Sequence, residues 1–201
     1  RRVNNNLQTS INSTMAVIDS IVKQAGDNKK SMDWYRRKVQ DATGSGTTAR
    51  QLIRQGKASS TPKFGLMNLF GYKATTYGET YGVKYYDRFP LIIPFERQGA
   101  RFWGINFHYL PYGLRVQVFK NVLRFATDKN MDEKTMLSVN WRKLSKVNAV
   151  KPAVKSYLMA GVQSAFLNIR VNEMPVAINL PVARFVGATQ SKVFSDTRKM
   201  I

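Results

Sequence analysis

The chain has 201 residues, of which 43% are hydrophobic and 11% aromatic, enough for the core of one compact domain. Its 32 Lys and Arg against 12 Asp and Glu give a charge of +20 at pH 7, which indicates nucleic acid as partner, ahead of an anionic membrane or an acidic protein surface. The absence of cysteine and the single histidine exclude disulfides, thiolate catalysis and multi-histidine zinc sites, and no apolar run reaches the roughly 20 residues that cross a bilayer.

The first sixty residues predict two helices followed by a linker. Four apolar residues keep helical spacing near the start: Ile11, Met15, Ile18 and Val22. A second helix is predicted to begin at the cap residue Ser31. Residues 41–63 are rich in Gly, Ser and Thr and predict a loosely ordered linker with at most one short helix. We therefore expect a basic helical N-terminal arm with its linker over 1–62 and an α+β core domain over 63–201.

The residues after the linker predict β-structure. Residues 64–74 and 81–86 are expected to form strands on either side of a turn that contains glycine. Residues 90–96 and 101–109 predict an antiparallel hairpin, because only the sequence RQGA separates them. Pro94 predicts an edge strand or a bulge in the first of these runs.

Alternation in the second run of the hairpin separates two faces. One face carries Phe102, Gly104, Asn106 and His108, and the other carries Trp103, Ile105, Phe107 and Tyr109. We expect six apolar residues of the hairpin to be core: Leu91, Ile92, Ile93, Trp103, Ile105 and Phe107. His108, Tyr109 and Pro111 are predicted to form the corner between strand and helix, with Asn106 and His108 held by hydrogen bonds. Only the arginines of this region are expected to face a partner.

The remainder of the chain predicts mostly helices. A helix is expected to begin near Pro111, and two more are expected over residues 131–147 and 151–169, where apolar residues recur at helical spacing. Residues 175–181, between two prolines, predict a strand, and the tail predicts a short basic helix after Ser191. The fold class is therefore α+β, with a small antiparallel sheet packed against several amphipathic helices.

Two long segments contain basic residues without acidic ones. The first spans 97–127 and contains Arg97, Arg101, Arg115, Lys120 and Arg124; the second lies between Glu133 and Glu173. On the polar faces of packed helices, such bases would form a continuous positive surface, which binds phosphates without reading sequence. The predicted phosphate contacts are Arg36, Arg37, Lys38, Arg142, Lys143, Lys146, Lys151 and Lys155. Acidic protein neighbours in an assembly are the alternative partner of the same bases.

Candidate catalytic groups are few. His108 is the only imidazole and lies in an aromatic strand, a pattern more typical of a packing residue than of a general base. Asp87, between Tyr86 and Arg88, suits a structural ion pair or a turn hydrogen bond better than catalysis. No spacing links the central carboxylates as a magnesium-dependent nuclease requires, and no phosphate-cradling glycine loop is present. We therefore predict no catalytic residue, no metal and no cofactor, and a nuclease is the least favoured hypothesis.

The runs YYDRFPLIIPFE and FWGINFHYLPYGLR contain a central signature, Tyr-Asp-x-x-Pro-Leu followed by Gly-x-Asn-x-His-Tyr-Leu-Pro. Its positions are Tyr86, Asp87, Pro90, Leu91, Gly104, Asn106, His108, Tyr109, Leu110 and Pro111. This signature resembles that of the DNA end-protector, or head-completion, proteins of T-even-type tailed bacteriophages. Weaker similarity continues in residues 31–39, 149–158 and 191–201, whereas the first thirty residues and 71–82 are not covered.

The resemblance implies a minor virion protein that binds the ends of packaged double-stranded DNA and shields them from the host's end-resecting nuclease after injection. It also implies portal, neck or tail components as further partners, no membrane, and a location in the virion and, during assembly and after injection, in the host cytoplasm. It supplies no catalytic residue, so we interpret Asp87, Pro90, Gly104, Asn106, His108, Tyr109 and Pro111 as a structural signature.

Trp34 or Tyr35 are candidates for stacking on exposed terminal bases. An architectural neck, tail or baseplate protein, docked through its basic surface on acidic virion subunits, is the alternative.

Overall fold

The computed structural model describes most of the chain. The described residues are 2–27, 30–44, 48–64, 66–74, 84–125, 144 and 146–201, with side chains from residue 9 onward and, in the fourth helix, up to residue 123. The helix predicted over 131–147 lies outside these residues except at 144, 146 and 147. The turn predicted within 75–80 also lies outside them.

The described strands form one large and one small antiparallel sheet. Six strands pair in the order β1-β7-β2-β4-β5-β6. They are β1 Lys57–Ser59, β2 Met67–Leu69, β4 Leu91–Gln98, β5 Arg101–Asn106, β6 Val154–Leu158 and β7 Phe166–Ile169. A separate pair joins β3 Tyr86–Asp87 to β8 Phe185–Val186.

Helices precede, interrupt and follow these strands. The described α-helices are α1 Arg2–Ala25, α2 Met32–Thr43, α3 Ala49–Gln55, α4 Tyr112–Phe125, α5 Met174–Ala177 and α6 Gln190–Met200. Local sequence explains where several of them begin. The Ser31 hydroxyl accepts a hydrogen bond from the Trp34 amide, which confirms the predicted cap of α2, and Thr48 forms a capping box with Gln51 at the start of α3.

The two faces of the large sheet pack differently. Helices α1, α2, α4 and α6 cover one face, where Ile18, Val39, Ile105 and Phe119 belong to the main buried cluster. The opposite face carries a smaller cluster of mostly aromatic residues: Phe70, Tyr72, Ile92, Phe102, Tyr157 and Phe166. The predicted α+β class, a small antiparallel sheet packed against helices, is confirmed.

The N-terminal helices share the core of the rest of the chain. Ile18 and Ile21 of α1 are 0% and 1% exposed and lie in the same cluster as Val116 of α4, and Lys120 of α4 pairs with Asp19 of α1 at 2.6 Å. Residues 57–59, within the predicted linker, form edge strand β1, which the linker prediction missed. The division of the chain at residue 62 remains a prediction.

The central hairpin agrees with the sequence prediction. Strands β4 and β5 pair antiparallel, with a bulge between Pro94 and Glu96. Because β4 lies between β2 and β5, the bulge was the correct alternative for Pro94 and the edge strand was wrong. Leu91, Ile92, Ile93, Ile105 and Phe107 are each at most 1% exposed, as predicted for the core, whereas Trp103 is only partly buried.

The helix predicted over 151–169 is wrong. Residues Lys151–Ala153 and Met159–Gly161 form 3-10 turns, and β6 and β7 occupy most of the remainder. Strand β6 pairs with β5, while β7 lies between β1 and β2, so this segment supplies strands to both ends of the sheet. Its Val, Tyr, Phe and Ile residues suit strands, and long-range pairing outweighed the apparent helical spacing.

The strand predicted over 175–181 is also wrong. Residues Met174–Ala177 form the helical turn α5 with a proline in its first turn, and the Asn179 side chain donates to the Pro175 carbonyl at 3.0 Å. All residues from 174 to 180 are buried. A run that is buried on every side carries no periodicity, so its apolar residues could not distinguish a strand from a helical turn.

Gly161 lies too close to neighbouring atoms to accept a side chain without a loss of stability. A Cβ built on Gly161 would lie 2.6 Å from the Tyr72 ring and 2.8 Å from the Lys73 carbonyl oxygen, so Gly161→Ala should lower the free energy of unfolding by about 1–3 kcal/mol. Gly71→Ala is the matched control, since its added Cβ meets only ordinary contacts of 3.5 Å or more. Urea unfolding of both variants measures the difference, and equal midpoints would contradict this close approach.

Candidate nucleic-acid interface

The central signature forms a buried corner around one carboxylate. The Asp87 carboxylate is 2.7 Å from His108 Nδ1, accepts from the Asn106 amide at 3.0 Å, and accepts from the Phe89 backbone amide at 3.0 Å. Asn106 also donates to the Tyr157 hydroxyl at 3.0 Å, and its carbonyl oxygen accepts from the His108 amide. This network holds the chain where β5 passes into the 3-10 turn Phe107–Tyr109 and then α4, as predicted for the corner.

The corner offers no surface to a ligand. Asp87 is 1% exposed, and Asn106 and His108 are 0% exposed. Within the described part of the chain, His108 Nε2 has no hydrogen-bond partner. Desolvation raises the pKa of Tyr109 and of Tyr157 well above the usual range, so both phenols stay neutral at physiological pH. The turn hydrogen bond of Asp87 is confirmed, and these residues shape the fold rather than a binding surface.

Three further signature residues, Pro90, Gly104 and Pro111, make backbone hydrogen bonds or close backbone contacts. The Pro90 carbonyl accepts a hydrogen bond from the Phe70 amide at 3.3 Å. A Cβ built on Gly104 would lie 2.9 Å from Ile92 Cδ1 and 3.0 Å from the Ile93 carbonyl oxygen. The Pro111 carbonyl accepts from the Arg115 amide at 2.9 Å, which closes the first turn of α4.

Arg115 is buried, and the expectation that it faces a partner is wrong. It is 0% exposed and donates to the carbonyls of Leu110, Ile178 and His108 at 2.7, 3.0 and 3.2 Å. Its guanidinium also lies 4.8 Å from the centroid of the Tyr112 ring. Burial lowers the pKa of Arg115 to about 10, so the group remains charged at neutral pH. The arginine ties α4 to the corner and to the end of α5.

Of the three predicted contacts on α2, Lys38 lies beside a tryptophan. Arg37 is exposed, whereas Arg36 pairs with Asp33 at 2.7 Å. The Nζ atoms of Lys38 and Lys30 lie 5.9 and 5.5 Å from the Trp34 ring centroid, and the ring is only partly buried. Tyr35 is 4% exposed, which leaves Trp34 as the candidate for base stacking on this helix.

The second predicted group lies before and on β6. Lys146 and Lys151 are exposed, whereas Arg142 and Lys143 lie outside the described residues. Lys155 is half-buried, with Nζ 4.1 Å from the centroid of the Tyr109 ring. Burial lowers the pKa of Lys155 to about 8, so near pH 8 a neighbouring anion such as a phosphate would favour its charged form.

In the part of the acid-free segments that the structure describes, the bases do not lie on a single helical face. Lys155 lies on β6 and Arg170 follows β7, and three strands separate β6 from β7. At the usual strand spacing these two strands are about 19 Å apart. Lys120 of the other segment pairs with Asp19, a residue about a hundred positions earlier in the chain. Among the described residues, bases that lack acidic neighbours in sequence are therefore dispersed, or paired, in space.

A basic groove lies instead at the β1 edge of the sheet. It has a volume of about 320 Å³ and is lined by the end of α3, the start of β1, the loop before β2 and the end of β7. Lys57, Lys63 and Arg170 are among the residues that line it, and its walls, which include Leu66 and Ile169, are mostly apolar. Sequence reasoning assigned Lys57 and Lys63 to a linker and missed this site, because more than one hundred residues separate them from Arg170.

Hydrogen bonds fix the walls of this groove. The buried Asn68 side chain accepts from the Lys63 amide at 3.0 Å and donates to the carbonyls of Lys63 and Leu66 at 2.9 and 2.8 Å. Asn168 donates to the Ser59 hydroxyl at 3.1 Å, and that hydroxyl donates to the Thr61 carbonyl at 2.8 Å. Asn68 of β2 therefore holds the loop that carries Lys63, and Asn168 of β7 is tied to Ser59 of β1.

Metal-binding clusters and membrane-spanning helices are both absent from the described residues. These residues contain no group of three or more His, Asp or Glu that could hold a metal ion. None of their helices is long and apolar enough to span a bilayer.

The chain matches a known protein family. Residues 2–200 match the family model described as phage T4 terminal DNA protecting protein. Neither the search of curated proteins nor the search of solved structures found a match to the chain. The match covers the N-terminal helices and the region around residues 71–82, which the central signature does not reach.

Proposed function

Because the chain belongs to the family of the phage T4 terminal DNA protecting protein, across residues 2–200, we propose that it binds the ends of packaged double-stranded DNA and shields them from host exonuclease. The family match carries this proposal. The charge of +20 supports it, since a polyanion is the partner that such an excess of bases favours. In this proposal the protein travels in the virion and acts in the host cytoplasm after injection, without catalysis of its own.

Binding would be electrostatic and independent of base sequence. The proposed phosphate contacts are Arg36, Arg37, Lys38, Arg142, Lys143, Lys146, Lys151 and Lys155. Of these, Arg37, Lys146 and Lys151 are exposed in the described part of the chain, where they can reach phosphates directly. Contacts with phosphate release counterions from DNA, so affinity falls as salt rises.

Trp34 supplies a means of preferring an end to the interior of a duplex. Only an end exposes the face of a base pair, and an aromatic ring stacks on any base without reading its identity. The Nζ atoms of Lys30 and Lys38 lie 5.5 and 5.9 Å from the Trp34 ring centroid, so a base that displaces them from the ring would leave both ammonium groups close to its phosphates.

The purified chain is expected to bind blunt linear duplex more tightly than closed circular duplex of the same sequence. If six to ten phosphates are contacted, affinity should fall by about 10³–10⁵ between 50 and 200 mM salt. Trp34→Ala should reduce the preference for ends by roughly tenfold, the effect of losing one stacked base, while Trp34→Phe keeps most of it. Fluorescence anisotropy at several salt concentrations measures the preference for ends, its dependence on Trp34 and the loss of affinity with salt.

Exonuclease digestion separates protection from mere binding. Bound chain should slow digestion of the linear duplex by an end-resecting nuclease, with the Trp34→Ala chain as comparison. Equal affinity for linear and circular DNA would contradict end recognition. Binding to neither form would instead favour the architectural alternative, in which the basic residues dock on acidic virion subunits.

A further inference from the structure

We propose that the groove lined by Lys57, Lys63 and Arg170 holds the 5′-phosphorylated terminal nucleotide of one DNA strand. This inference rests on the proposed function and deepens it, because it assigns the terminal phosphate to a particular site. The groove lies at the β1 edge of the sheet and shares no lining residue with α2 or with the residues before β6.

The size of the groove suits one nucleotide. Its volume of about 320 Å³ lies at the lower end of the range usual for small-ligand sites. A duplex is far too large to enter it. The groove therefore admits only a terminal phosphate or a terminal nucleotide that has left the stack, and unpairing is least costly where a base is already unpaired or frayed.

The lining combines apolar and cationic groups, as a nucleotide requires. Leu66 and Ile169 provide apolar contact for a sugar and base, while Lys57 and Lys63 provide ammonium groups. None of the described residues that line the groove is Asp or Glu. Within the described part of the chain, no carboxylate is within ion-pair distance of Lys57 or Lys63.

Arg170 remains able to bind a phosphate despite its own ion pair. Its Nε and Nη2 atoms donate to the Glu173 carboxylate at 3.2 and 2.8 Å, which leaves Nη1 outside this pair. The side chain is 69% exposed. Glu173 therefore orients the guanidinium, and the remaining N–H groups are available to an oxygen ligand.

The charge of a terminal phosphate distinguishes it from the interior of DNA. A phosphomonoester carries about −1.5 to −2 charges at pH 7, whereas each internal phosphate carries one. Lys57, Lys63 and Arg170 all line the groove, and cationic side chains favour the more highly charged phosphate. Because Asn68 holds the backbone of Lys63 and Asn168 bonds to Ser59 of β1, the backbone that carries the two lysines requires little reorganisation when the phosphate arrives.

The test compares hairpin duplexes whose single open end carries either a 5′-phosphate or a 5′-hydroxyl. The full chain should bind the phosphorylated end more tightly by roughly tenfold, the contribution of one charge-assisted hydrogen bond. In Lys57→Gln/Lys63→Gln this ratio should fall to about one. Arg198→Gln/Lys199→Gln, which removes two exposed charges on α6, should keep the wild-type ratio. Thermal unfolding checks that both double variants fold.

The outcomes separate this inference from the proposed function. If the wild-type chain prefers linear to closed circular duplex but binds 5′-phosphate and 5′-hydroxyl ends equally, the inference is wrong and the proposed function is unaffected. A groove variant that weakens binding to both ends equally, with the ratio kept, would overturn it as well. If the wild-type chain binds ends and circles equally, the proposed function itself fails.

A second measurement does not depend on DNA affinity. In an isotope-labelled full chain, a short single strand with a 5′-phosphate should shift the Gly56 amide and the Asn168 side-chain amide, and the same strand with a 5′-hydroxyl should shift them much less. Unchanged resonances in both titrations would overturn the assignment. If thymidine 5′-monophosphate alone bound as tightly as the strand, the groove would be a free-nucleotide site and the assignment to a DNA end would be wrong.

Discussion

Replacing Arg115 with alanine is expected to lower the free energy of unfolding by about 3–5 kcal/mol, since the change leaves buried groups without their partner. The guanidinium donates hydrogen bonds to the carbonyls of Leu110, Ile178 and His108, and Arg115 and these three residues are all 0% exposed. A typical domain is stable by about 5–15 kcal/mol, so the variant should lose much of its stability. The midpoint of urea unfolding measures the loss.

The control for Arg115 is an arginine of the same acid-free segment. Arg97 is exposed at the tip of the β4–β5 hairpin, where Nε donates to the Gly99 carbonyl at 3.1 Å. Arg97→Ala should change stability by no more than about 0.5 kcal/mol. If the two variants unfold at the same urea concentration, the three carbonyl contacts of Arg115 contribute nothing and its structural role is wrong.

Asp87→Ala is expected to cost about 3–5 kcal/mol of stability for a related reason. The carboxylate is the common partner of His108 Nδ1, the Asn106 amide and the Phe89 amide, and it is 1% exposed. In the alanine variant these three groups lose the carboxylate as their hydrogen-bond partner. Asp33→Ala is the matched control: it breaks an exposed pair with Arg36 and should cost less than about 1 kcal/mol.

A double-mutant cycle tests whether the corner acts as one unit. Asp87→Ala and His108→Ala should be non-additive by about 0.5–3 kcal/mol, because the two side chains are in direct contact at 2.7 Å. Additive losses would contradict a shared network. A folded Asp87→Ala chain that lost a metal-dependent release of nucleotides present in the wild type would instead support a nuclease.

The central signature could be predicted from sequence because its structure is local. Period-two alternation, four residues between two runs and Pro111 after a strand predict the hairpin, the corner and the start of α4. The structure confirms all three. The role of Asp87 also follows from its neighbours, since its Oδ1 accepts from the amide of Phe89, two positions later.

The segment 151–169 shows where such reasoning fails. Its apolar residues recur at three- and four-residue intervals, which fits a helix, yet it forms β6 and β7. Strand β6 needs β5 beside it, and β7 needs β1 and β2. No local pattern records those partners, and the energy of pairing with them exceeds the difference between helix and strand propensities.

The charge pattern was informative about the class of partner and less so about the site. A total of +20 indicates a polyanion wherever the bases lie. Whether a given base faces solvent depends on neighbours that are remote in sequence. Arg115 donates to the Ile178 carbonyl, Lys120 pairs with Asp19, and Lys155 lies over the Tyr109 ring. A helical stripe cannot distinguish a base that is enclosed from one that faces solvent.

Composition, alternation and capping residues were thus sufficient for the α+β class, the hairpin with its corner, and the expectation of an anionic partner, because each depends on residues near one another or on totals. The order of the strands, the burial of Arg115 and the placement of Lys57, Lys63 and Arg170 around one groove depend on contacts between segments that are remote in sequence. Those contacts form only when the whole sheet assembles, and for that reason the basic groove is visible in three dimensions and not in the linear chain.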